Sequence, residues 1–374
     1  MTKRYLMTPG PTPVPEDIML NMAHPIVHHR TKEFKDIFAE TKKLAQQVFQ
    51  TKNEIVIFSS SGTGAMEASV SNLLSEGDKA LTVAAGKFGE RWSQLVRAFG
   101  ASAVELKYDY GDYAKIEDVD KALSKDSSIK AVFMQASETS TGVFHPIDEI
   151  GKMIKEKYPD VVFVVDGITA IGAIDVKTDE WNIDIMITGS QKALMLPPGL
   201  SLMSVSEKAK RVIENSKNRY YYFDILKELN SDGGSYTPAV TLIEGLNLAF
   251  KKILDEGLDN VFRRHELLAN ATREAALALG LELFAKRPAN SLTAIAMPVD
   301  SSKVISLMKD YGVHVSNGQG SLKGKIIRIA HLGYFGKPDI IMAIGGLEIA
   351  LKKLGVDAPF GEGVKKAMEI FVEE

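Results

Sequence analysis

The sequence predicts an α/β fold, with a large domain built on a mostly parallel sheet and a smaller α+β domain. At 374 residues the chain is long enough for two domains. Short apolar runs alternate with amphipathic stretches through the first 200 residues, which is typical of parallel strands joined by helices. Runs such as 161–165 are apolar without alternation, which indicates strands that are buried on both faces.

The large domain is expected over residues 16–255. Its predicted strands are 55–58, 80–83, 131–134, 161–165, 183–187 and 200–203, and its predicted helices are a stretch of about four turns from Glu33, then 62–74 and 90–99. The last two strands leave no room for a helix between them. Part of the sheet is therefore expected to be antiparallel.

The pattern changes after about residue 250. A long helical stretch over 242–279 has a possible break at Gly257, and strands at 293–297 and 325–330 and a helix over 339–354 follow. This predicts a small domain over 256–374. The proline-rich stretch 8–15 can be neither helix nor central strand, and we expect the N-terminal segment 1–15 to pack beside the small domain.

Composition excludes several classes of function. The net charge is −3 and the basic residues are spread along the chain, so no nucleic-acid partner is expected. The apolar runs are far shorter than a membrane span, and the N-terminus reaches proline too soon for a signal peptide, so we expect a cytoplasmic protein without a membrane partner. The absence of cysteine excludes disulfides and thiolate ligands, and no histidine spacing indicates a metal site.

Three strand ends carry the residues best suited to chemistry, because ligands of parallel sheets collect where strands end and helices begin. Residues 59–64, Ser-Ser-Ser-Gly-Thr-Gly, lead into a helix and could cradle an anion, although a capped helix after a tight turn is the simpler interpretation. Asp166 follows a fully apolar strand and could equally cap a turn. Lys192 follows the next strand and is flanked by apolar residues and a Pro-Pro-Gly turn, which would confine its stem.

Together these groups match the needs of pyridoxal 5′-phosphate (PLP). The cradle would hold the phosphate, Asp166 would pair with the pyridinium N–H, and Lys192 would form the Schiff base. No one of the three groups is specific by itself. Their combination in this order predicts a PLP enzyme.

The motifs around these groups resemble class V aminotransferases of the alanine–glyoxylate and serine–pyruvate or serine–glyoxylate type, which have the PLP-transferase fold of type I. The matching segments span nearly the whole chain and are 10–15, 61–68, 138–142, 188–199, 233–240 and 325–330. The resemblance implies a homodimer with shared active sites. It also implies two small-molecule substrates, an amino acid and a 2-oxo acid.

The resemblance assigns a role to individual positions. Ser61, Gly62 and Thr63 would donate hydrogen bonds to the phosphate, Phe88 would stack on the ring, and Ile168 would contact its other face. Thr139 would donate to the ring hydroxyl and Gln191 would lie beside Lys192. Thr237 would reach the phosphate in the partner's site. Arg328 would grip the substrate carboxylate, with Gly10 also on the substrate side. Thr63 stands where some relatives have a histidine, and Phe88 stands where relatives often have a tryptophan.

The expected reaction moves an amino group from alanine or serine to glyoxylate or pyruvate. A PLP lyase or decarboxylase would use the same lysine and aspartate and stays an alternative, as does a non-catalytic subunit that keeps the fold. A cysteine desulfurase is disfavoured because the chain has no cysteine to accept sulfur. The chain has no recognisable set of basic residues for a second phosphate, which counts against a phosphoserine aminotransferase. It also lacks the three-glycine fingerprint of a nucleotide-binding dehydrogenase.

Overall fold

The computed structural model describes residues 3–218 and 220–373. The strands are β1 (Tyr5–Leu6), β2 (Glu54–Phe58), β3 (Lys79–Ala84), β4 (Ser102–Lys107), β5 (Ile129–Gln135), β6 (Ser137–Glu138), β7 (Val143–Phe144), β8 (Val162–Asp166), β9 (Ile185–Gly189), β10 (Ser201–Val205), β11 (Glu282–Leu283), β12 (Leu292–Ala296), β13 (Val313–His314), β14 (Ser316–Asn317) and β15 (Ile326–Ala330). The α-helices are α1 (Glu16–Asn21), α2 (Lys32–Val48), α3 (Gly62–Leu73), α4 (Lys87–Ala98), α5 (Ile116–Lys125), α6 (Ile147–Lys157), α7 (Glu207–Glu214), α8 (Ile225–Leu229), α9 (Val240–Glu256), α10 (Leu258–Ala278), α11 (Ser301–Asp310), α12 (Lys337–Lys353) and α13 (Glu362–Glu373).

A seven-stranded sheet with the order β2-β10-β9-β8-β5-β3-β4 forms the centre of the fold. Strand β10 runs antiparallel to both of its neighbours, and the other six strands share one direction. The predicted fold class and the antiparallel strand near Lys192 are therefore confirmed. Because six strands point the same way, their carboxyl ends lie along one edge of the sheet.

Alternate residues of the central strands enter two different cores. Phe163 and Val165 of β8 pack in the core that α2 and α9 cover, whereas Val162 and Val164 face α3 and α4. Both faces of these strands are buried, which explains why the strands are apolar at every position. Edge strand β4 is only partly buried and lacks a continuous apolar run, and for that reason the sequence did not reveal it.

A second, antiparallel sheet with the order β11-β12-β15-β14 has its own core, to which α10, α11, α12 and α13 contribute. The N-terminal strand β1 pairs in parallel with β13, with Tyr5 opposite Val313. The chain then runs from β1 to the edge of the large sheet. Gly257, with φ of +83°, separates α9 from α10 where the sequence indicated a break.

Candidate active site

The candidate site lies at the carboxyl edge of the large sheet. Asp166 and Gly189 are the last residues of neighbouring strands β8 and β9, and the loop after β9 carries Lys192. Helices α3 and α4 begin at the same edge. Arg328 comes from β15 of the second sheet, so the two sheets meet at this place.

The amine of Lys192 is held in an environment that disfavours its charge. Its Nζ donates a hydrogen bond to the backbone carbonyl of Pro9 at 2.8 Å. Burial lowers the pKa of Lys192 to about 8, the carboxylate of Asp166 opposes this shift, and Arg328 adds to it. Such an amine is available as a nucleophile or a base close to neutral pH.

The N-terminal segment covers Lys192 at close range. A Cβ at Gly10 would lie 2.1 Å from the Nζ of Lys192, and the φ of Gly10 is +151°, so only glycine fits this position. Thr12 fastens the segment, because its N–H donates to the Gln191 carbonyl at 3.1 Å and its hydroxyl to the Lys192 carbonyl at 2.8 Å. The structure thus brings Gly10 and Lys192 together.

Asp166 is a buried carboxyl group with a strongly shifted pKa. Its side chain is 4% exposed, and burial raises its pKa to about 7. The N–H of Ile168 donates to Oδ1 at 2.9 Å and opposes the shift, so the turn-capping role is present as well. No lysine, arginine or histidine of the described chain forms an ion pair with Asp166. A cationic N–H donor would therefore stabilise its charged form.

The predicted anion cradle is the N-terminus of α3. Ser61 is the exposed N-cap residue, and the first N–H groups of the helix, from Gly62 and Thr63, have no intrahelical acceptor. A Cβ at Gly62 would meet the side chain of Ile168 at 2.4 Å, so glycine permits this close packing. The guanidinium of Arg91 donates to the Thr63 hydroxyl at 3.1 Å and brings a positive charge to the cradle.

Thr139, another predicted residue, directly follows β6 and lies at the same edge as Phe88. The hydroxyls of Thr139 and Thr169 are 2.9 Å apart, and both side chains are buried. Phe88 lies in the first turn of α4, which begins earlier than the sequence indicated. Its N–H donates to the carboxylate of Glu138 at 3.1 Å, which links the helix to β6.

Arg328 is buried, not a surface arginine of an edge strand. It is 5% exposed, its Nε and one terminal nitrogen donate to the Asn317 carbonyl at 3.0 and 2.8 Å, and the other donates to the Thr139 carbonyl at 2.9 Å. Burial lowers its pKa to about 10, so it stays charged at neutral pH. Two of its five N–H groups remain for a ligand, one on each terminal nitrogen.

Two buried amides near these residues have unpaired polar atoms. Gln135 pairs with Asp166 across neighbouring strands, is fully buried, and has neither its side-chain oxygen nor its nitrogen hydrogen-bonded. The side-chain oxygen of Gln191 is likewise buried without a partner. Unpaired buried groups are costly, and a polar ligand at this edge would supply partners. The donor set therefore fits a phosphorylated, cationic aromatic group such as PLP.

Thr237 lies near Ser59, at the start of the predicted cradle. It is exposed and precedes Ala239, whose N–H donates to the Ser59 hydroxyl at 3.1 Å. Ala239, rather than Thr237, is the N-cap residue of α9, so the helix-cap interpretation of Thr237 is wrong. Within the described residues, Thr237 has no hydrogen bond to Lys192 or to the cradle. A role in a neighbouring subunit stays a prediction.

Three residues near the site were not assigned from sequence: Arg91, Gln135 and Glu138. Arg91 lies within a helix that was predicted, but nothing in its spacing indicates that it contacts Thr63. Glu138 belongs to the matching segment 138–142, yet a buried carboxylate cannot be told from an exposed one by residue type.

Among residues 3–218 and 220–373, no helix is long and apolar enough to cross a membrane, and no three acidic, histidine or cysteine side chains are grouped to hold a metal.

The aminotransferase class-V family model matches residues 4–333. Serine–glyoxylate aminotransferase of Methylorubrum extorquens is 36% identical, over 98% of this chain and 95% of its own length. The soluble hydrogenase 42 kDa subunit of Anabaena cylindrica is 38% identical over 99% of both chains. Ureidoglycine–glyoxylate aminotransferase of Bacillus subtilis has a similar crystal structure, with a TM-score of 0.94, 28% identity and coverage of 100% of this chain and 99% of its own.

Proposed function

We propose that this chain, which belongs to the class V aminotransferase family, moves an amino group from alanine or serine to glyoxylate or pyruvate, with PLP carried on Lys192. The family is PLP-dependent. The names of two similar proteins, the serine–glyoxylate and the ureidoglycine–glyoxylate aminotransferase, support a 2-oxo acid of two carbons as the acceptor.

One observation carries the proposal: a lysine with a lowered pKa, a buried aspartate and a buried arginine meet at one edge. They are close enough for Asp166 and Arg328 both to influence the pKa of Lys192. Burying three ionisable groups together costs stability unless each has a ligand to bind. The set provides an amine, an anion for a ring cation, and a cation for a carboxylate.

PLP would supply the electron sink for a carbanion at the substrate Cα. Asp166 would pair with the ring N–H and keep that nitrogen protonated, because a carboxylate buried beside it favours the cation. Ser61, Gly62 and Thr63 would hold the phosphate through the start of α3. Phe88 and Ile168 would confine the ring between them, Thr139 would donate to its hydroxyl, and Gln191 would contact it beside Lys192.

Lys192 would move the proton in the reaction. With a pKa of about 8, a substantial fraction of its amine is neutral at physiological pH and can accept the proton from Cα. Before PLP is attached, the hydrogen bond to Pro9 O holds Nζ in a defined direction. Gly10 leaves the space that this movement requires.

Arg328 would orient the substrate. Three of its N–H groups are already hydrogen-bonded to carbonyls, which fixes the plane of the guanidinium. The remaining two match the two oxygens of an α-carboxylate. A fixed carboxylate sets which bond at Cα faces Lys192, and such positioning accounts for a large part of catalysis in many enzymes.

The alternative to an enzyme is a non-catalytic subunit, because a soluble hydrogenase subunit is among the similar proteins. The chain contributes no cysteine thiolate to a metal centre. A subunit without PLP chemistry would also have no reason to keep Lys192, Asp166 and Arg328 buried together. The observation on these three residues favours the enzyme.

The proposal is tested with purified protein. It should be yellow or become yellow when PLP is added, and borohydride should attach the cofactor mass to the peptide that contains Lys192. Lys192→Ala should lose this attachment and at least about 10³-fold in turnover, since the group that moves the proton is missing. A panel of amino donors and 2-oxo acids then identifies the substrates, and product formation without an acceptor would indicate a lyase. Failure to take up PLP would overturn the proposal.

We also propose that the protein acts as a homodimer in which Thr237 contacts the PLP phosphate of the partner. The exposure of Thr237 supports this, because an exposed side chain is accessible to a second copy of the chain. A symmetric dimer would place one copy of the segment beside each site.

A further inference from the structure

Glu138 is a fully buried carboxylate beside the candidate site. Its neighbours are all hydrogen-bond donors: the N–H of Gly89 at 2.9 Å, the N–H of Phe88 at 3.1 Å, and the N–H and hydroxyl of Ser140 at 3.0 and 2.5 Å. Burial raises the pKa of Glu138, and these donors oppose that shift. Three of these four contacts come from backbone N–H groups, which can only donate, so they favour the charged form of Glu138.

The N-terminus of α4 forms the seat for this carboxylate. The first N–H groups of the helix point at it, and the helix dipole favours a negative charge there. A Cβ at Gly86 would lie 2.4 Å from both Cγ and Cδ of Glu138, so the backbone approaches the carboxylate as closely as glycine permits. The hydroxyl of Ser140 closes the seat, because it also accepts from the N–H of Lys87 at 3.0 Å.

Glu138 joins two parts of the site that come from different elements. On one side it holds the backbone of Phe88, the residue proposed to cover the ring. On the other side it precedes Thr139, whose hydroxyl contacts Thr169 and whose carbonyl accepts from Arg328 at 2.9 Å. Displacing this carboxylate would release the ring side and the Arg328 side together.

We propose that Glu138 is a positioning residue that couples the position of Phe88 beside the cofactor ring to the orientation of Arg328. This inference rests on the proposed function, because it assigns Phe88 to the ring and Arg328 to the substrate carboxylate. In this role Glu138 would act through Phe88 and Thr139, without contacting either ligand itself. It sets the distance between the first turn of α4 and the loop that carries Thr139, and that distance determines whether ring and carboxylate are bound at the same time.

The experiment compares Glu138→Gln with a matched control, Glu348→Gln. Glu348 is 4% exposed and accepts from the N–H groups of Gly361 at 2.5 Å and Val364 at 2.8 Å at the start of α13, remote from the site. Both substitutions place an amide where a buried carboxylate accepts backbone donors. Both should therefore lower the thermal unfolding temperature of the cofactor-free protein.

Only Glu138→Gln should change ligand binding. We expect the dissociation constant for PLP, measured by reconstitution of the apoprotein, and the KM for the amino donor each to rise about tenfold, as expected for lost hydrogen bonds to a charged group. The circular dichroism of the bound cofactor should weaken because its ring is held less firmly. Glu348→Gln should match the wild type in all three measurements.

The proposal is overturned if Glu138→Gln loses thermal stability but keeps both constants within about twofold of the wild type. If Glu138→Gln does not fold, Ser140→Ala decides, since it removes one donor to Glu138 and one acceptor for Lys87. It should raise both constants about threefold, in line with one weakened hydrogen bond, and unchanged constants overturn the proposal. A wild-type protein that binds no PLP would overturn the proposed function itself, which is a different result.

Discussion

Asp166→Asn tests whether the candidate site carries a buried charge. Burial raises the pKa of Asp166 from 3.8 to about 7, and the nearby carboxylate of Glu138 adds to the rise, while the hydrogen bond from Ile168 N and the charges of Arg91 and Lys192 oppose it. Asparagine keeps the shape and can accept the same hydrogen bond from Ile168 N. The cofactor-free variant should therefore be more stable than the wild type above neutral pH.

The direction of the pH dependence follows from the protons that Asp166 binds in the folded and unfolded chain. Because the pKa in the folded protein exceeds that of the unfolded chain, the folded protein binds more protons between pH 3.8 and about 7. The contribution of Asp166 to stability is fully present below pH 3.8 and is lost as the pH rises through about 7. The whole difference is worth about 4 kcal/mol, at about 1.36 kcal/mol per pH unit, and about 3 kcal/mol of it falls between about pH 5 and about pH 8.

Thermal unfolding of the apoprotein measures this difference. With an unfolding entropy of about 2.1 cal/mol/K per residue, a chain of this length gives about 0.8 kcal/mol/K, so about 3 kcal/mol corresponds to about 4 °C. Between about pH 5 and about pH 8 the Tm of the wild type should fall about 4 °C further than the Tm of Asp166→Asn. A gap between the two proteins that does not change with pH would refute the reasoning.

Two comparisons sharpen the experiment. Asp184→Asn is the control, because Asp184 is 6% exposed but forms an ion pair with Lys208 at 2.7 Å, and its loss should destabilise the protein. PLP should reverse the order of stability of the wild type and Asp166→Asn, since a ring cation stabilises the carboxylate of Asp166. Added PLP should therefore raise the Tm of the wild type more than that of Asp166→Asn.

The remaining predictions concern Arg328 and Thr237. Arg328→Lys should raise the KM for the amino donor at least about tenfold, because an ammonium cannot reproduce the bidentate grip, and the absorbance of the resting cofactor should hardly change; loss of PLP with unchanged KM would contradict the assignment. Lys192→Ala and Thr237→Glu homodimers should each be nearly inactive, the second because a carboxylate repels the phosphate. Mixed dimers should recover up to about half of the wild-type activity if Thr237 acts in the neighbouring site, and verified subunit exchange without recovery would show that it acts in its own.

Much of the site was predictable because its signals are local. Asp166 ends one buried strand and Lys192 follows the next, and the carboxyl end of a parallel strand is recognisable from its apolar run. The serines before α3 and the glycines of its first turn indicated the candidate cradle in the same way. The Arg328 assignment came from resemblance, since a strand arginine has no local feature that indicates burial.

The sequence by itself determined the alternation of strands and helices, the strand ends that bear Asp166 and Lys192, and the absence of thiol chemistry. Only the tertiary structure decided which polar groups share an environment. Gly89 and Glu138 are 49 positions apart, and Thr139 and Arg328 are 189 apart, yet each pair is hydrogen-bonded. The physical reason is that periodicity reports the burial of one face of one element, whereas the pKa of a carboxyl and the direction of a guanidinium depend on every element packed around them.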